Sequence, residues 1–132
     1  MPGEEVKFLT LDEAIYIHEQ LIVNFGGAGG IRDAGLLESA LYRPRTGYYA
    51  DLVEMGAALF ESLLMNYAFV DGNKRIAFFG VDTFLRINGF RIDVSAEEAH
   101  ETLISMLESQ TATKDNLEDF LRAFVVPFAK RP

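Results

Sequence analysis

The sequence predicts an all-α fold, a compact bundle of about six helices, and three observations carry that expectation. Capping-box patterns stand ahead of residues that recur at helical spacing. Two stretches, "LVEMGAALFESLLMN" and "IAFFGVDTFLRI", are apolar almost all round, as buried helices are. No alternating β-branched run is longer than the few residues around "RIDV". At 132 residues the chain, read as a single domain over 1–132, is long enough for a core that needs no staples.

Each element has its local reason. Thr10-Leu11-Asp12-Glu13 has the capping-box form, and Ala14, His18, Leu21, Ile22 and Phe25 then share one face, giving a first helix over about 11–25. Gly26 and Gly27 suit its C-terminal cap, and "GGAGGIRD" reads as a tight loop leading to Asp33, the N-cap of a short helix that Pro44 closes. "PRTGYYAD" has turn residues and is irregular, or a small hairpin or flap. The two apolar helices follow; Gly56, Ala57, Ala58 and Ser62 in the first allow close contact, and Asn88-Gly89 stops the second. Ser95 with Glu98 is a second capping box, opening a helix with Ala99, Leu103, Met106 and Leu107 on one face. Asp115 with Glu118 opens the last, lined by Leu117, Leu121, Phe124 and Val125 and ended by Pro127.

Composition removes several function classes. The absence of cysteine excludes disulfides, thiolate metal sites and cysteine nucleophiles, and suits a reducing compartment. The opening residues carry acids and no apolar run, unlike a secretory signal, and no stretch is long enough to span a membrane, so a cytoplasmic location is expected. A formal net charge of −8 opposes direct binding of nucleic acid, yet a local cationic pocket can still hold a nucleotide.

That pocket is sought in "NYAFVDGNKR", a polar knot between the two apolar helices. Asp71-Gly72 alone is a common turn pair, and Asp71 a good N-cap. Lys74 and Arg75 make a plain turn insufficient: cations in the first turn of a helix are disfavoured by about 0.3–1 kcal/mol each. An anion bound by the amides of Gly72 and Asn73 and by both cations would compensate, and phosphate is the obvious one. A lone carboxylate such as Asp71 beside phosphate oxygens is a usual way to hold Mg²⁺. Glycines ahead of a Gly-Lys-Ser/Thr are missing, so this is no Walker loop, and "GGAGGIRD" follows no strand, so it is no dinucleotide fingerprint.

"NYAFVDGNKR" followed by "FLRINGF" resembles the signature of the Fic/Doc family, His-x-Phe-x-Asp/Glu-Gly-Asn. The likeness runs from about residue 8 to 92 and includes "FLTLDEAIYIHEQLIVNFGG" and "GIRDAGLLESALYRP", which resemble the death-on-curing (Doc) branch. It implies that Phe69 fastens the loop in the core, that Asp71 binds metal, and that Gly72 and Asn73 cradle phosphate. Lys74 marks the Doc branch; Fic-type adenylyltransferases usually have Gly there and an arginine where this chain has Phe78. The resemblance further implies a kinase that uses ATP and magnesium to phosphorylate a threonine of elongation factor Tu, and an antitoxin whose C-terminal segment folds into a groove on the toxin.

One position departs from the pattern. Tyr67 stands where the family has its catalytic histidine, and Ala68 replaces a common proline. A phenol, which in model peptides loses its proton only near pH 10, cannot act as the general base; losing one costs about 10²–10⁴-fold in rate. The chain is therefore expected to be a weak or inactive member. Natural degeneration and a selected or engineered inactivation both account for Tyr67, and the survival of Asp71, Gly72, Asn73 and Lys74 favours the second. A Fic-like adenylyltransferase and a non-catalytic pseudo-toxin that binds antitoxin are the alternatives.

Among the remaining candidates, His18 lies on the apolar face of the first helix and reads as a structural histidine. His100 sits among glutamates and reads as solvated. No histidine pair has zinc-ligand spacing, which leaves magnesium as the metal to expect. Tyr48 and Tyr49 are candidates for a flap that docks the target. Arg75 either binds phosphate or pairs with an acid.

Overall fold

The computed structural model describes residues 5–129. Six α-helices form in chain order: α1 (Leu11–Phe25), α2 (Ala34–Tyr42), α3 (Leu52–Met65), α4 (Asn73–Arg86), α5 (Ala96–Glu108) and α6 (Lys114–Phe124). A short 3-10 turn, Arg43–Arg45, follows α2, so Pro44 lies just past that helix. The Tyr48-Tyr49 stretch forms no strand; Tyr48 is fully exposed, and the Tyr49 hydroxyl donates to the Arg43 carbonyl at 3.4 Å.

Local caps set most helix starts. At α1 both halves of the capping box form: Thr10 Oγ1 accepts from the Glu13 amide at 3.1 Å and the Thr10 amide donates to Glu13 Oε1 at 2.8 Å. Asp33, Asp51 and Ser95 each accept from the amide three residues on. The last helix departs from expectation. Its N-cap is Thr113, which accepts from the Asn116 amide, while Asp115 lies inside the first turn, where its charge meets the helix dipole favourably. Its end also differs: α6 stops at Phe124, and the chain continues as strand β2 (Val125–Pro127). This strand pairs antiparallel with β1 (Phe90–Ile92), Arg91 opposite Val126.

α3 and α4 are the central pair. Gly80 of α4 faces Leu63 of α3 so closely that a Cβ there would lie 3.2 Å from Leu63 Cδ1, and Gly56 admits Leu121 of α6 and Leu85 of α4. Phe60, Phe84, Leu59, Leu64, Ile76 and Leu85 are fully buried around this crossing. α1 and α5 lean on α4, while α2 and α6 lean on α3. Buried Asp82 joins α4 to the small sheet, accepting from the Ile92 amide at 2.9 Å and from Arg86 Nε at 2.7 Å. The polar knot is thus the link between two helices that the core holds from both sides. No helix among the described residues is long and apolar enough to cross a membrane.

Candidate active site

The site is the α3–α4 connection, residues 66–72, together with the first turn of α4. Phe69 is driven into the core, 2% exposed, and stacks on the imidazole of His18 with ring centroids 3.8 Å apart. The Asn73 side chain, at the first helical position of α4, closes this bend: its Oδ1 accepts from the Phe69 amide at 3.1 Å and its Nδ2 donates to the Phe69 carbonyl at 2.9 Å. His18 Nε2 lies 2.7 Å from the Asp71 carbonyl, to which it donates. It is a structural histidine, 2% exposed, and it grips the motif itself. Gly72 caps α4 with φ +76, and a Cβ there would crowd His18 Nε2 at 3.3 Å. Glycine is favoured on both grounds.

Asp71 does not cap the helix with its side chain. Its Oδ1 accepts from the Gly72 amide at 2.8 Å, and its Oδ2 from the Ala28 amide at 3.1 Å in the glycine loop after α1. These two N–H groups, Ala28 first, hold its carboxyl below the ordinary aspartate value, with smaller contributions from Arg75 and Lys74. The Gly72 amide is therefore engaged within the loop, whereas the Asn73 amide has no hydrogen-bond partner among the described residues and stands at the open first turn of α4 beside Lys74 and Arg75. Each carboxylate oxygen keeps lone-pair capacity beyond its one N–H, and the group is ionised, so Asp71 suits a hydrated Mg²⁺ shared with phosphate oxygens. No group of three His, Cys, Asp or Glu side chains among the described residues stands ready to hold a metal alone.

Tyr67, Asp71, Gly72, Asn73, Lys74 and Arg75 line one cavity of about 240 Å³, completed by Leu64, Val70, His100 and Leu107. A second cavity of about 210 Å³ shares Lys74, Arg75 and His100 and is otherwise mainly apolar, with Phe25, Phe78, Phe79 and Leu103. His100, expected to be merely solvated, is exposed and stands on the rim of both. Neither cation forms an ion pair among the described residues; Arg75 instead lies over the Phe25 ring at 5.0 Å. Tyr67 is 51% exposed, with φ +51.

A model of the Fic/DOC family matches residues 8–85, more than half of the chain. The chain belongs to this family. Within the family it is similar to a protein named Toxin Doc from Mycolicibacterium smegmatis, 38% identical over 114 residues that cover 81% of this chain and 84% of that protein. It is also similar to a protein named protein kinase doc from Escherichia phage P1, 31% identical over 102 residues, 74% of this chain and 81% of the relative. The matched segment spans the glycine loop and the polar knot alike. The residues that sequence reasoning missed are Ala28, which holds Asp71, and Arg32, which donates to the carbonyls of Asn66 and Tyr67. Both act across more than thirty residues of chain, and no local spacing signals either.

Proposed function

We propose that the chain is a Doc-type toxin of a toxin–antitoxin system, built to transfer the terminal phosphate of ATP to a threonine of elongation factor Tu. In this reading Tyr67 holds it at low activity. One contrast supports it. Two helices carry cations in their first turn, and α6 neutralises its own: Lys114 Nζ lies 2.8 Å from Glu54 and 3.3 Å from Glu118. α4 carries Lys74 and Arg75 there, which form no direct ion pair among the described residues, feel only the nearby charge of Asp71, and border a cavity. An anionic ligand with several charges is what these cations lack.

The residues then divide the work. Lys74 and Arg75 bind and orient the phosphates, and Asp71 would hold Mg²⁺, which supplies neutralisation of charge developing on the transferred group. Asn73, His18 and Phe69 fix the loop so that these groups stay in register. At position 67 the target hydroxyl needs a base; a phenol O–H at neutral pH is a donor and cannot take that proton. The identity of the doc relative from phage P1 as a protein kinase, Lys74, and buried Phe78 in place of a phosphate-binding arginine all favour phosphotransfer over adenylyl transfer. A cognate antitoxin, inserting its C-terminal segment into a groove, would restrain the active form in the cytoplasm.

The test is the Tyr67→His variant with Mg²⁺, elongation factor Tu and ATP labelled on its terminal phosphate. Labelled threonine at a rate about 10²–10⁴-fold above the parent chain is expected. Transfer of label from the α-phosphate would establish the adenylyltransferase instead. Absence of either transfer, with antitoxin still bound, would leave a pseudo-toxin.

A further inference from the structure

We propose that Arg32 is a positioning residue for the side chain at position 67, holding that residue in a left-handed backbone conformation that turns it into the cavity. The observation is a run of three successive carbonyls all closed from one place. Arg32 Nη2 donates to the Asn66 carbonyl at 3.0 Å, and Arg32 Nε donates to the Tyr67 carbonyl. The amides of Arg32 and Asp33 then both donate to the Ala68 carbonyl, at 2.7 and 3.0 Å.

The geometry needs this support. Asn66 caps α3, its amide still bonded to the Ser62 carbonyl, and the chain must then leave the helix at Tyr67 with φ +51. A non-glycine residue pays for that conformation. A helix end of this kind is usually held by the amides of the next two residues bonding back to the last turn. Neither the Tyr67 nor the Ala68 amide makes such a bond. The planar guanidinium replaces them: its Nε and Nη2 project side by side and meet two adjacent carbonyls, which a lysine ammonium cannot do with fixed orientation. Because the hydrogen bonds of the Arg32 side chain among the described residues go only to backbone carbonyls, its grip is independent of which side chain occupies position 67. Its catalytic consequence rests on the phosphotransfer reading above; its structural consequence does not.

Two measurements test it. In the chain as it stands, backbone carbon chemical shifts report the left-handed conformation of Tyr67. Arg32→Ala and Arg32→Lys should both abolish that signature while leaving the shifts of Phe84 and Leu85 in the core unchanged. If Tyr67 stays left-handed in a folded Arg32→Ala protein, the proposal is wrong; Arg32→Lys decides the matter where Arg32→Ala does not fold. In the Tyr67→His background, Arg32→Ala should lower kcat roughly 10- to 100-fold with the KM for ATP unchanged, as misplacement of a reacting group does. Arg32→Lys should recover little of it. Unchanged kcat, or a rise in KM alone, would overturn the positioning role. An inactive Tyr67→His parent would sink the phosphotransfer reading, and the chemical shifts would still decide whether Arg32 sets the backbone.

Discussion

Helices α3 and α5 end in the same backbone conformation and are closed in opposite ways. Tyr67 after α3 and Gln110 after α5 are the non-glycine residues with positive φ among the described residues, at 51° and 58°. At Gln110 the helix closes itself: the Gln110 amide bonds to the Leu107 carbonyl and the Thr111 amide to the Met106 carbonyl, with Ser109 Oγ on the Ser105 carbonyl. Every partner lies within five residues. At Tyr67 the partners come from Arg32 and Asp33, and the rest of the loop is held by His18, Ala28 and Gly30. A turn closed by its own helix can form early and survive alone. A turn closed from another segment exists only in the assembled fold, and in return its side chains are fixed relative to the rest of the molecule. That is what a site acting by position and charge requires.

The largest test of this contrast sets two asparagines against each other. Asn73 holds the amide and the carbonyl of buried Phe69, whereas Asn116 donates to the exposed Thr111 carbonyl at 2.8 Å. Asn73→Ala leaves two buried backbone groups unpaired and should cost about 2–4 kcal/mol. Asn116→Ala exposes a carbonyl that water can satisfy and should cost less than about 1 kcal/mol. Urea denaturation at unchanged slope measures both. Equal losses would show that the α3–α4 loop is no more dependent on its staple than an ordinary turn.

The glycine loop supplies the next. Gly27 has φ +108, and a Cβ there would sit 2.7 Å from Asp71 Oδ2; Gly29 has nothing within 4 Å. Gly27→Ala should cost about 1–3 kcal/mol through backbone strain and displace the carboxylate that the Ala28 amide holds. Gly29→Ala should be near neutral. Thermal unfolding of the pair separates them, and similar midpoints would mean that the loop does not bear on Asp71.

The same carboxylate gives a pH signature. The Asp71 carboxyl lies below the ordinary value of 3.8, chiefly because the Ala28 amide donates to it. A depressed folded pKa contributes stability that is present above the unfolded value and lost as pH falls through the folded one. The stability gap between the chain and Asp71→Asn should therefore stay level from neutral pH down to about 4 and narrow below it. The Gln110 turn is closed by neutral groups alone, so the cost of Asn116→Ala should not change over that range. A gap for Asp71→Asn that stays constant into acid would remove the Ala28 contact from the account.

What the sequence made legible follows the same division between local and distant. The starts of α1, α2 and α5 could be read because Thr10, Asp33 and Ser95 cap through atoms three residues away. The start of α6 differs from the expectation because Asp115 with Glu118 imitates a capping box, while the true cap, Thr113, is followed by Asn116 and lacks the acidic partner. The sheet of Phe90–Ile92 with Val125–Pro127 leaves no sequence signal, since three-residue strands have no period and pair across more than thirty residues. In the candidate site the knot announced itself through Lys74 and Arg75, which violate the helix-dipole preference. His18 was legible as structural, but its hold on Asp71, like those of Ala28 and Arg32, depends on folding that no spacing encodes.

The smallest effect tests the comparison at its root. Gln110→Gly relieves a left-handed strain of about 1 kcal/mol and gives part of it back through the greater freedom of the unfolded chain, for a net gain of a few tenths to about 0.5 kcal/mol. Tyr67→Gly should gain a similar amount, since its ring is half exposed and its φ is equally costly. The two should part in the Arg32→Ala background. Freed from the guanidinium, residue 67 relaxes out of the left-handed region, so glycine has no strain left to relieve and Tyr67→Gly becomes neutral or unfavourable. Gln110→Gly keeps its gain, because nothing in that turn depends on Arg32. A gain at position 67 that persists without Arg32 would mean that the α3 end, like the α5 end, holds its own conformation.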